Sequence, residues 1–256
     1  MFIDTHAHLT DKIYDANLDE IRANYLSKGV EKIIVVGYNL SSSIKAYELS
    51  KRYSEVYFAV GVHPSDAKFY NDEAEKTFIS LSKDNKCVAI GEIGLDYHYE
   101  NIDKDVQKRV FIRQLELANE LNLPVILHTR DACGDTVEIL KSNSALLKNG
   151  FLMHCFSESK EVAKELLPLG AYFAFGGAIT FKNAKKQEII ASIPKDRLFA
   201  ETDAPYLTPV PKRGQVNAPE NVVYVYEFMA NVLGESVENL KAQFSKNLTT
   251  LFKGRI

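Results

Sequence analysis

The chain has 256 residues, 46% apolar and 25% charged, with a net charge of −3; it can bury a large core, which excludes disorder and small cross-linked scaffolds, and its charge disfavours coating duplex DNA. Cys87, Cys133 and Cys155 form no C-x-x-C pair and leave one cysteine over, which points to a reducing compartment and a cytoplasmic protein. There is no basic leader followed by an apolar stretch and no apolar run near the roughly 20 residues that span a bilayer, so no membrane association is expected.

The first apolar run, MFIDTHAH, closes on two histidines one residue apart. Residues two apart in a strand share a side, so His6 and His8 turn toward one point. Seven further runs follow: EKIIVVGY, VYFAVGVHP, CVAIGEIGLD, LPVILHT, GFLMHC, AYFAFGG and RLFAETDAP. Each is nearly continuous in apolar residues, the pattern of strands buried on both faces of a parallel sheet. Helical periodicity fills the gaps. From Asp105 to Leu121, residues Val106, Val110, Phe111, Leu115, Leu117 and Ala118 mark one apolar face, and Asn122 ends it. A shorter helix is expected over Glu158–Leu167. The loop LTPVPKRGQVNAP then leads to helical stretches at Asn221–Leu233 and Val237–Phe252. No low-complexity linker interrupts the chain. Eight βα units in about 250 residues predict α/β architecture: a single (β/α)8 TIM-type barrel over residues 1–256 with an extra C-terminal helix. A doubly wound sheet would want G-x-G-x-x-G after the first strand, and THAHLTDKIYD contains no glycine.

The strand ends carry the chemistry. His6 and His8 close the first run, and His63, Glu92, His128, His154 and Asp203 are read as the ends of the third, fourth, fifth, sixth and eighth. Of six histidines, only His98 lies away from these ends. In a barrel all of them converge on one face. Five or six imidazole and carboxylate ligands exceed one tetrahedral site and suit two divalent ions sharing a carboxylate such as Glu92. The mixed nitrogen and oxygen set fits Mg, Mn or Zn, and equally Co or Ni. Cys155, directly after His154, is expected on the opposite side as a buried apolar residue.

The motifs FIDTHAHL, GVHP, GEIGLDY, PVILHTRDA, HCFS, GGAITFKNA and ETDAPYL resemble the TatD-type metal-dependent deoxyribonucleases of the amidohydrolase superfamily, in order and over the whole chain. The resemblance implies that His6, His8 and Asp203 hold one metal, that His128 and His154 hold a second, and that Glu92 bridges them. It places His63 near a substrate phosphate and gives Glu201 a supporting or proton-transfer role. It further implies removal of nucleotides from DNA 3′ ends, single-stranded or damaged ends being preferred, in DNA repair or breakdown. Three departures stand out: Glu158 in HCFSE, Val216 and Ala218 in RGQVNAP, and His98 in GLDYH.

Phosphodiester hydrolysis needs a nucleophile, charge neutralisation and relief of the leaving oxygen, all within reach of two ions about 4 Å apart. Asp203 is the expected proton acceptor, provided it lies within hydrogen-bond reach of the attacking water. Arg130 is placed to contact a phosphate oxygen, with an ion pair to Asp131 or Glu92 as the other reading. Lys182, Lys185, Lys186, Lys212 and Arg213 would grip nucleic acid locally, and Tyr97, Phe156, Phe181 or Tyr206 would stack bases. The expected partner is DNA, bound by a monomer or weak oligomer. Two other readings remain: an amidohydrolase acting on a small amide, lactone or phosphoester, disfavoured by Glu92 in place of a lysine, and an inactive scaffold, disfavoured because no ligand is lost.

Overall fold

A computed structural model describes residues 1–100 and 102–256. Its eight strands are β1 (Phe2–Ala7), β2 (Val30–Val36), β3 (Val56–Val60), β4 (Cys87–Asp96), β5 (Val125–Arg130), β6 (Phe151–Met153), β7 (Ala171–Phe175) and β8 (Leu198–Ala200). They pair in parallel in strict chain order. The ring closes beyond β8: the Asp203 N–H donates to the His6 carbonyl at 2.9 Å, the His8 N–H donates to the Ala204 carbonyl at 2.8 Å, and Ala7 bridges Ala204. The expected eight-stranded barrel is thus realised from the eight expected runs.

Helices α1 (Leu18–Ser27), α2 (Leu40–Arg52), α3 (Asp72–Leu81), α4 (Lys104–Glu120), α5 (Cys133–Ser142), α6 (Lys160–Leu166) and α7 (Gln187–Ser192) connect the strands, and α8 (Val222–Leu233) and α9 (Val237–Leu251) follow β8. Their starts are set by side-chain caps. Asp103 accepts the Val106 N–H, so the helix read from Asp105 begins at Lys104. Ser159 accepts the Val162 N–H, so the one read from Glu158 begins two residues later, at Lys160. Asn221 ends a short 3-10 turn, which moves the start of α8 to Val222.

Every residue of β4 and of β7 is buried, as parallel strands lined on one side by the barrel interior and covered on the other by helices must be. Phe58, Phe151, Phe173, Phe175 and Phe199 are fully buried and fill the core. The last helix is tied to the barrel by Asn247, whose amide donates to the Leu198 and Lys195 carbonyls at 2.9 Å each. No helix among the described residues is long and apolar enough to cross a membrane.

Candidate metal centre

The ionisable residues gather at the C-terminal mouth of the barrel, around the Glu92 carboxylate. His128 Nδ1 lies 2.8 Å and His154 Nε2 3.0 Å from Glu92 Oε1. His63 Nε2 is 3.7 Å from the same oxygen, while His6 and His8 approach Oε2 at 3.4 and 3.5 Å. Asp203 Oδ1 lies 3.5 Å from His8 Nε2 and 3.8 Å from His6 Nε2. All six expected ligands are therefore brought together, with His63 beside them.

Backbone constraints make the convergence possible. Gly94 of GEIGLD has φ +141°, and a Cβ there would sit 2.0 Å from the His128 carbonyl oxygen, so only glycine lets β4 and β5 lie this close. Asp203 adopts a left-handed φ of 56°, which a non-glycine residue takes only when its surroundings hold it. Here the bond from its N–H to His6 does so.

Hydrogen bonds on the far side of three of the rings fix which nitrogen faces the centre. His8 Nδ1 is 3.1 Å from the Val36 carbonyl, which can only accept, so Nδ1 carries the proton and Nε2 presents its lone pair. Glu201 Oε1 holds His154 Nδ1 at 3.2 Å in the same sense. His63 is the opposite case. Its Nδ1 accepts the Ser65 N–H at 3.1 Å, so its proton sits on Nε2 and points inward. A neutral His63 therefore presents a donor toward the centre.

Lone pairs of His8 and His154 directed at carboxylate oxygens repel unless a proton or a cation lies between them. Among the described residues no lysine or arginine pairs with Glu92 or Asp203. Burial disfavours charge on the His154 imidazole, but Glu92 and Glu201 hold it well above its ordinary pKa. Burial likewise pushes the Glu92 carboxyl up, yet the surrounding imidazoles keep it well below the usual range. Asp203 follows the same pattern: burial pushes it up, and the His8 contact together with the charges of His154 and His6 brings it below the usual range. Three trios of donor atoms lie within 4.8 Å of one another: His6, His8 and Asp203; His6, Glu92 and His154; His63, Glu92 and His128. The first is the trio expected from sequence. The other two share Glu92 and divide His154 and His128 between them. Donor types and spacing fit divalent cations.

Several contributors escape the sequence reading. Asp96 Oδ2 lies 3.3 Å from His128 Nε2, which places that ring between two carboxylates. Asp4, fully buried, accepts the N–H and hydroxyl of Thr202 and the His6 N–H, tying β1 to the chain after β8. Burial pushes its carboxyl up to about 8. The period-two pattern Asp4, His6, His8 was its only signal. Asn217 of RGQVNAP donates to the Thr202 and Tyr206 carbonyls and pins that loop beneath Asp203.

The family described as TatD related DNase matches residues 3–253. The chain belongs to the TatD-related DNase family. It is 44% identical over 254 residues to YabD of Bacillus subtilis, an uncharacterized metal-dependent hydrolase, with 99% of each chain covered. To the 3′-5′ ssDNA/RNA exonuclease TatD of Shigella flexneri it is 32% identical, over 97% of this chain and 98% of the relative. The crystal structure of the TatD homologue YJJV from Escherichia coli superposes with a TM-score of 0.92 at 30% identity, covering 98% of both chains. This is a metal-dependent hydrolase family, and the cluster at the barrel mouth is the set of donor groups in this chain that suits such ions.

The family motifs that depart in this chain sit around that cluster. Glu158 is half-buried against Cys133, whose thiol burial and this acid push up to about 11. Val216 is 51% exposed, whereas Ala218 is buried. His98 pairs with Asp131 at 2.8 Å. That contact removes the alternative reading of Arg130, which has no ion pair to Asp131 or Glu92 among the described residues and lies exposed at the end of β5, over the Tyr99 ring. Two expectations need correction. Phe156 is only 3% exposed and packs on Phe173 and Phe175, so it cannot stack a base. Cys155 lies beyond β6 in a left-handed turn, its N–H bound to Glu201, so turn geometry and not strand alternation sets its direction.

Proposed function

We propose that the chain is a deoxyribonuclease dependent on two divalent ions, Mg, Mn or Zn, that removes nucleotides from the 3′ ends of single-stranded or damaged DNA. The observation that carries this reading is the cluster itself: five imidazoles and the Asp203 carboxylate around Glu92, with the Nε2 atoms of His8 and His154 turned inward and, among the described residues, no lysine or arginine paired with either carboxylate. In this reading His6, His8 and Asp203 hold one ion, His128 and His154 the other, and Glu92 bridges. Ions bound there supply charge neutralisation on the phosphate, water activation and relief of the leaving oxygen.

The chain's own residues do the rest. Asp203, held below the usual carboxylate range, is ionised at neutral pH and takes the proton of the attacking water. Glu201 acts through His154, fixing the proton on Nδ1 and with it the direction of the ring. His63 donates from Nε2 to a phosphate oxygen, and Arg130 offers a second, bidentate contact from the rim. Lys182, Lys185, Lys212 and Arg213 grip the strand, with the Arg213 guanidinium 4.2 Å over Phe181 and leaving that ring less free to stack. Tyr206, 54% exposed and edge-on to His8, is the best placed stacking residue. The Shigella flexneri relative's name supports a polynucleotide substrate. Low net charge favours strand ends over long duplex, and the proposed setting is a monomer or weak oligomer in a reducing cytoplasm, in DNA breakdown or repair.

The test uses end-labelled single-stranded DNA, with metal-stripped protein and each divalent ion added in turn. A 3′-end ladder that weakens as salt rises is expected. Equal cutting at internal duplex sites with little salt dependence, or no DNA hydrolysis with any ion, overturns the reading.

A further inference from the structure

Beside the metal centre, between the loop after β1 and the start of α2, lies a cavity of about 260 Å³ lined by Thr10, Asp11, Lys12, Tyr38, Ser41 and Lys45. It is smaller than the roughly 300–1,000 Å³ of sites for drug-sized ligands. Its inner wall is continuous with the cluster: Thr10 follows His8 by two residues, and the Tyr38 ring stands edge-on to the His8 ring at 5.5 Å.

Thr10 lines this cavity and is only 5% exposed, and its buried hydroxyl has no hydrogen-bond partner. A buried hydroxyl left unpaired is unusual and calls for a ligand to complete it. Lys12 and Lys45 flank it, and among the described residues neither has an ion-pair partner. Asp11 also lines the cavity; its carboxylate accepts the Ile13 N–H at 2.9 Å, and the two lysines leave positive charge in excess of it. Asn39 caps α2 by accepting the Ser42 N–H at 2.9 Å, which leaves the Leu40 and Ser41 N–H groups without an intrahelical partner at the positive end of a 13-residue helix. Two cations, one orphaned donor and a helix N-terminus surround a space that suits a small oxyanion.

We propose that this cavity seats a backbone phosphate of the nucleic-acid strand, next to the one held at the metal centre. Lys12 and Lys45 supply the charge and Thr10 a hydrogen bond. The inference rests on the reading of the protein as an enzyme of polynucleotides, and it makes the loops after β1 and β2 part of the strand-binding surface.

Binding of a fluorescein-labelled oligothymidylate of about ten nucleotides, measured in chelator so that no cleavage occurs, tests it apart from hydrolysis. Lys12→Gln/Lys45→Gln is expected to weaken binding about tenfold and to lower the salt slope by about 1.4, roughly 0.7 per lysine. Lys148→Gln, which removes one lysine charge ahead of β6 at the opposite end of the barrel, should leave both unchanged, whereas Lys12→Gln and Lys45→Gln should each lower the slope by about 0.7. Thr10→Val should weaken binding about threefold to tenfold while unfolding at the same or a higher temperature, because the hydroxyl it removes has no partner in the free chain. Unchanged affinity and slope in the double variant, equal loss in Lys148→Gln, or no binding by the unaltered protein overturns the proposal. Lysine-dependent binding by a protein that hydrolyses no DNA would leave the cavity standing and refute the nuclease reading. Hydrolysis that survives with unaltered binding in the variants would do the reverse.

Discussion

Glu201 is the residue whose role the structure makes sharpest, and two substitutions there give different answers. Its Oε1 accepts the Cys155 N–H at 2.6 Å and faces His154 Nδ1 at 3.2 Å, and the side chain is wholly buried. Glu201→Ala strands two buried donors; at about 1–3 kcal/mol each, the fold should lose about 2–6 kcal/mol. Glu201→Gln keeps a carbonyl oxygen for both donors and removes only the charge. Its stability loss should be smaller, and its main effect a metal affinity roughly 10–100-fold weaker, the usual consequence of disturbing a group that orients a ligand. Urea unfolding in chelator measures the first quantity, calorimetric titration with Mn the second, and hydrolysis of single-stranded DNA across a metal titration the third. Activity of Glu201→Gln should return to within a few-fold of the unaltered protein once metal saturates. If it stays below about one hundredth at saturating metal, with metal affinity unchanged, Glu201 handles protons in the reaction and the positioning role is wrong.

Asp203→Asn should slow hydrolysis by roughly 100- to 10,000-fold even in excess metal, whereas His6→Ala should lose metal first and recover in part as metal is raised; full rescue of Asp203→Asn by metal would reduce Asp203 to a ligand. At the other end of the barrel, Glu55 accepts from Arg22 Nε at 2.6 Å and from the Tyr25 hydroxyl at 2.9 Å. Burial pushes its carboxyl up, but these bonds outweigh it and hold Glu55 below the usual range. The folded value lies under the unfolded one, so its stabilisation is complete above the ordinary glutamate pKa of about 4.3 and is lost as pH falls through the lower folded value. Denaturant titrations should therefore show Glu55→Gln less stable by about 1.5–3 kcal/mol at pH 7, with the gap closing below about pH 4; a gap constant down to pH 3 would refute the assignment.

The barrel and the donor cluster at its mouth were legible because both depend on local signals. Nearly unbroken apolar runs specify strands buried on two faces, and a ligand at a strand end needs only the fold class to be placed at the mouth. What could not be read were contacts made across the ring. Asp96 sits four residues after Glu92 and looks like the end of a strand until β5 brings His128 against it. Asn217 lies in a loop whose sequence departs from the family pattern on either side, and its bonds to Thr202 and Tyr206 arise only from the path of the chain after β8. Phe156 was misread for the same reason: its neighbours Phe173 and Phe175 belong to the next strand. Helix starts shifted by one or two residues because a capping side chain, not the apolar period, decides where the first turn begins.

Each imidazole of the cluster except one is aimed by a hydrogen-bonding group, three of them from another part of the chain: His8 by Val36 of β2, His154 by Glu201 after β8 and His128 by Asp96 of β4, while His63 is aimed by Ser65 in its own turn. His6 is the exception, since its buried Nδ1 has no partner. Its ring is held by stacking on His154 at 3.9 Å and by the backbone of β1. The position of that backbone depends in turn on Asp4, which joins the His6 N–H to Thr202, and on the Asp203 N–H bond to the His6 carbonyl. The closure of the ring and the aim of its least supported ligand are thus one structural feature. A barrel that opened between β1 and β8 would lose His6 and Asp203 together, while Glu92, His128 and His63, carried by the unbroken side of the sheet, would stay in place.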